Sequence, residues 1–188
     1  MKKSIVIAGV FLIVASMAMM FSPTPIRAAG PLDACVLLTK ADAETLFNDT
    51  VSSQRAGRVS APAGNNCTYF FKKKGGAYSV KLIVSSSDEI RSEGIFKSAR
   101  DVFERQKKAR MANADTAQKM KSIGGFGDEA FWNGYDLWIV KGDYLLTVLA
   151  HPFLAGSFKS KEAMEKARAD QDLSYSQKAA TKILLKVK

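Results

Sequence analysis

At 188 residues, 47% of them hydrophobic and 24% charged, the chain has the size and balance of one domain with a sizeable core, which excludes a disordered or fibrous class. Its 28 Lys and Arg against 18 Asp and Glu give a net charge of +10, a surface suited to acidic partners. A single histidine excludes metal sites built from imidazole clusters and leaves the usual histidine-activated nucleophile little to work with.

Lys2 and Lys3 precede a mostly apolar run from Ile5 to Phe21, which ends at Ser22, Pro23 and Pro25. The layout predicts a secretory signal peptide over residues 1–28, cleaved after Ala28, because Ile26 and Ala28 satisfy the small-or-aliphatic rule before the cut. A retained anchor is the competing reading, but the run falls short of the roughly 20 residues that span a bilayer. The expectation is therefore a periplasmic or secreted protein with no stable membrane insertion after signal removal. Leu32 to Cys35 superficially resembles the box before a lipid-modified cysteine, yet Asp33 and the two prolines after the apolar run argue against it. Residues 29–188 then form a single α+β domain with a helical C-terminal tail. In an exported chain the pair Cys35 and Cys67 reads as a disulfide. It closes a loop of about thirty residues and contributes about 3–4 kcal/mol in the chain-entropy description.

Thr39, followed three residues later by Asp42, is a capping box that starts a first helix ending near Phe47. Asn48 to Asn66, rich in Ser, Gly, Ala and Arg, reads as a long surface loop. Cys67–Phe71 and Ala77–Val84 form a hairpin around Lys72 to Gly76, with Tyr78, Val80, Leu82 and Val84 on one buried face. Ile95, Phe96, Ala99, Val102 and Phe103 recur at helical spacing and predict an amphipathic helix over 92–112, with cations in its last turns and a linker after it.

Gly124, Gly125 and Gly127 break the chain before a three-stranded meander: Glu129–Trp132, an Asn133-Gly134 turn, Tyr135–Val140, a Lys141-Gly142-Asp143 turn, and Tyr144–Ala150. Both faces of its strands are apolar, so both are covered. Helical segments run from Lys161 to the end, with Ala180, Ile183, Leu184 and Val187 as an apolar stripe. The order α-ββ-α-βββ-α predicts an α+β fold, a five-stranded, mainly antiparallel sheet packed with helices.

His151 stands before Pro152 at a strand end and reads as a polar terminus. Asp128 and Glu129 are adjacent in an extended segment, so their side chains diverge and cannot share one substrate. Gly124 to Gly127 lacks the Lys-Ser/Thr pair of a phosphate loop and leads into a strand instead of a helix. No cofactor, metal or catalytic residue is predicted. Trp132, Tyr135 and Trp138 are candidate ligand-binding residues, since aromatic walls suit an apolar pocket, although alternation sets the two tryptophans on different faces. Residues 91–110 carry seven cations against three acids, and Lys72 to Lys74 add more. Such a surface suits a protein or an anionic envelope component, and export makes nucleic acid an unexpected partner.

The run Asp33-Ala34-Cys35-Val36-Leu37-Leu38-Thr39-Lys40-Ala41-Asp42-Ala43, the Cys67-Thr68-Tyr69 strand, Gly127-Asp128-Glu129-Ala130-Phe131-Trp132 and Leu145-Leu146-Thr147-Val148 together resemble a broad group of small exported bacterial proteins and lipoproteins of unknown function. The resemblance covers about residues 33–150. It implies an α/β sandwich, of which the PsbP-like form is one candidate, a Cys35–Cys67 disulfide and a Gram-negative periplasmic or cell-surface setting, and it transfers no catalytic residue. The leading expectation is a non-enzymatic exported binding or accessory module of the cell envelope; the alternative is a periplasmic carrier of a small apolar ligand held against the sheet.

Overall fold

The computed structural model describes residues 31–188, so the signal peptide expected over 1–28 lies outside the described residues. The chain enters with a short turn of helix, α1 (Ala34–Leu37), capped by Asp33. Then comes α2 (Lys40–Phe47), where the capping box expected at Thr39 and Asp42 is formed. Seven strands follow: β1 (Ser53–Ser60), β2 (Ala63–Lys73), β3 (Gly76–Ser86), β4 (Lys121–Ser122), β5 (Glu129–Trp132), β6 (Leu137–Lys141) and β7 (Tyr144–His151). Between β3 and β4 lie α3 (Ser87–Ser92), α4 (Ala99–Met111) and α5 (Ala114–Ala117), and α6 (Lys161–Leu184) closes the chain.

All seven strands form one antiparallel sheet in the order β1-β2-β3-β7-β6-β5-β4. The fold is α+β, but the expected five-stranded sheet and its α-ββ-α-βββ-α order are incorrect. The sheet gains a strand at each edge, and three short helices were not anticipated. The predicted loop over 48–66 contains β1, joined to β2 through a cis Ala61-Pro62 bond, and β2 begins four residues before Cys67. An edge strand has no second neighbour to bury it, so β1 is almost wholly exposed and shows no alternation to read. β4 is two exposed residues long.

The helix predicted over 92–112 is also shorter. Gly94 takes φ +74, and Ser98 caps α4 by accepting the N–H of Asp101, so Ile95 lies outside the helix and is exposed. The apolar stripe that remains, Ala99, Val102 and Phe103, packs with Phe131, Val140 and Leu145 on one face of the sheet. The opposite face carries the larger core, in which Tyr78, Val80, Leu82 and Val84 meet Leu137, Ile139, Leu146 and Val148 under α1, α2 and α6. Both faces of β6 and β7 are thus covered, as their two-sided apolar pattern requires.

Candidate ligand-binding site

Helix α6 turns Asp172, Ser176, Ala179, Ala180 and Ile183 inward. The small side chains bring its axis close to β7, and Ser176 Oγ accepts the backbone N–H of Ala150 at 3.0 Å. One turn earlier, Asp172 is 3% exposed, and its Oδ2 lies 2.7 Å from Nδ1 of His151, the last residue of β7. A buried carboxylate needs such a partner. Its other oxygen, Oδ1, has none in the structure.

The ring of Tyr135 lies 4.8 Å from the imidazole, tilted by 56°. Tyr135 is placed by the turn between β5 and β6, where the Asn133 side chain accepts the backbone N–H groups of Tyr135 and Asp136 at 2.8 and 2.6 Å. Gly134 takes φ +95 there, a conformation that disfavours a side chain. Burial, assisted by the Asp136 and Asp172 charges, raises the Tyr135 phenol above its ordinary value.

Between this turn and the N-terminal half of α6 lies a cavity of about 610 Å³. Trp132, Tyr135, Leu154, Met164 and Ala169 contribute to its walls, together with His151 and Asp172. Three of its cations already have partners. Arg168 donates to the Pro152 carbonyl at 2.8 Å, and Lys121 and Lys166 both pair with Asp170.

A second cavity, of about 330 Å³, opens on the other face of the sheet, lined by strands and turns with no helix contributing. It contains Trp138, Asp136 and Lys81. Burial raises the Asp136 carboxyl above its usual range.

The predicted aromatic residues are therefore divided. Trp132, 1% exposed, belongs to the larger core and lines the first cavity. Trp138 packs with the smaller cluster, stacked on Phe131 at 5.9 Å, and lines the second. Tyr135 borders both. Cys35 and Cys67 are joined in a disulfide with Cα atoms 5.1 Å apart, tying α1 to β2.

His151 is more than a polar terminus, because it forms a pair with a buried acid. The signal was present in α6, where Asp172 extends the stripe of Ser176, Ala180 and Ile183 at helical spacing, and an acid on a buried stripe requires a partner. Asp128 and Glu129 do not diverge fully as expected, because both reach the Arg100 guanidinium of α4, at 3.8 and 3.0 Å. Glu129 reaches Lys107 and Arg100 of α4 at 2.5 and 3.0 Å, while Asp128 accepts the N–H of Gly142 at 2.8 Å. Arg91, Arg100, Arg105 and Lys107, four of the seven cations over 91–110, are engaged in ion pairs.

Comparison of the chain with protein-family models, with curated proteins and with solved structures finds no match. Among the described residues, no helix is long and apolar enough to cross a membrane, and no group of three or more His, Cys, Asp or Glu is placed to hold a metal ion.

Proposed function

We propose that this chain is an exported, non-enzymatic carrier that holds a small ligand with an apolar body in the cavity between α6 and the β5–β6 turn. The observation that carries the reading is the cavity itself. Its volume of about 610 Å³ falls within the range of small-molecule sites, and the apolar surface of Trp132, Tyr135, Leu154, Met164 and Ala169 is bordered there by charged side chains of both signs. The disulfide supports an oxidising compartment. Docking of a protein or anionic envelope component through the basic surface receives less support, since Arg100 and Lys107 already fasten α4 to Glu129 of β5.

Titration with Nile red, a neutral apolar dye, tests the proposal. The expected result is saturable binding at one site that perturbs tryptophan emission and persists in Trp138→Phe, because Trp132 is the tryptophan at the cavity. Ala169→Trp, which fills the cavity from α6, is expected to abolish it. Absence of saturable binding, or binding indifferent to Ala169→Trp, would refute the proposal.

A further inference from the structure

We infer that the ligand of this cavity carries a neutral hydrogen-bond donor, a hydroxyl group, which donates to Nε2 of His151, and that the site discriminates against carboxylates. The inference deepens the carrier reading and rests on it. A carboxylate oxygen accepts, so the 2.7 Å contact assigns the donor role to Nδ1 of His151, which gives its proton to Oδ2 of Asp172. A neutral imidazole has one ring proton, and Nε2 is then left as a lone pair. That atom has no hydrogen-bond partner among the described residues, and the ring is a quarter exposed and lines the cavity.

The surroundings favour a donor for the same reason. Oδ1 of Asp172 is a second, wholly buried acceptor without a donor, on a residue that lines the cavity. A carboxylate head would meet two electron-rich groups. Three of the four lining cations already have partners: Arg168 donates to the Pro152 carbonyl, and Lys121 and Lys166 pair with Asp170, itself on the cavity wall. Lys119, whose stem lies against Gly134, is left as the lining cation without an ion pair among the described residues. Tyr135 lies against the imidazole at 4.8 Å, tilted by 56°, and limits its rotation, so the ring keeps the orientation that the Asp172 contact sets.

The test uses adamantanol and adamantanecarboxylate, which share one apolar body and differ in the head group. Because the chain has a single histidine, a long-range nitrogen–proton correlation spectrum of the labelled protein contains one imidazole. With the ring neutral, the spectrum is expected to show Nδ1 protonated and Nε2 bare, and adamantanol is expected to shift Nε2. Adamantanol should bind at least about tenfold more tightly than the carboxylate, the equivalent of one hydrogen bond that only the alcohol makes.

His151→Phe should bring that ratio close to one. Asp172→Asn removes the group that sets the tautomer, and should lower the ratio even if His151→Phe folds poorly. A proton on Nε2 of the neutral ring, or equal or tighter binding of the carboxylate, would overturn the inference; if Nile red still binds saturably, the carrier reading survives that failure. If neither the adamantane probes nor Nile red bind, the carrier reading falls and the inference falls with it.

Discussion

Nδ1 of His151, at the end of β7, lies 2.7 Å from Oδ2 of Asp172, about three turns into α6. The contact fastens the long helix to the centre of the sheet at the point where the larger cavity begins. Its energetics follow from the asymmetry between the partners, since the acid is buried and the histidine is partly exposed. His151→Ala would leave the buried Asp172 carboxyl without its hydrogen-bond partner and is expected to cost on the order of 2 kcal/mol in urea unfolding. Adding Asp172→Asn should restore part of that loss, giving a coupling of at least about 1 kcal/mol. Strictly additive losses would show that the pair contributes no interaction of its own.

The Cys35–Cys67 bond links the first helical turn to the second strand across 32 residues of chain. Cys35→Ser with Cys67→Ser is expected to lower stability by about 3–4 kcal/mol, mainly by enlarging the unfolded ensemble. Differential scanning calorimetry would register this as a fall in Tm of about 10 °C. A fall of only a degree or two would mean that α1 is held by packing alone.

Glu129 anchors α4 to β5 through Lys107 and Arg100. The hydrogen bond from Lys107, opposed in part by burial and reinforced by both cationic charges, holds its carboxyl below the ordinary glutamate value. A carboxyl lowered in the folded state stabilises the fold above its unfolded value, and that contribution disappears as pH falls through the folded one. The side chain is about a third exposed, so solvent screening limits the effect. Glu129→Gln should therefore lose about 0.5–1 kcal/mol at neutral pH. The gap between the two proteins should close in acid, and a gap independent of pH would assign the loss to packing.

Gly127 and Gly124 offer a contrast within one loop. Gly127 takes φ +61, and a Cβ there would come within 2.5 Å of the Val140 carbonyl oxygen, whereas a Cβ at Gly124 meets nothing within 4 Å. Gly127→Ala is expected to cost about 2 kcal/mol or more, and Gly124→Ala about nothing, within ~0.5 kcal/mol. Chemical denaturation of the two variants side by side decides it; equal losses would mean that the β5–β6 end of the sheet yields to admit the methyl group.

The parts of the fold legible in the sequence are those where one residue and its near neighbours meet the same environment. In β3, Tyr78, Val80, Leu82 and Val84 alternate with half-buried residues because one face rests on the core, so the period of two is visible. Thr39 and Asp42 announce α2 because their hydrogen bonds span three residues. The two-sided apolar strands β6 and β7 likewise declare that both sheet faces are covered.

The edge strands were not legible. β1 is held by backbone hydrogen bonds to β2, which any residue can make, and its exposed side chains record nothing of them. Nor could local pattern pair His151 with Asp172, twenty-one residues apart and on different elements, although the acid on the inner stripe of α6 marked one half of the contact. The sequence by itself determined the capped helix α2, the inner strands, the separation of Trp132 from Trp138 and the two cysteines available to pair. Only the tertiary structure decided the two edge strands, the cavity and the imidazole beside it, because those depend on where the long connections bring distant surfaces together.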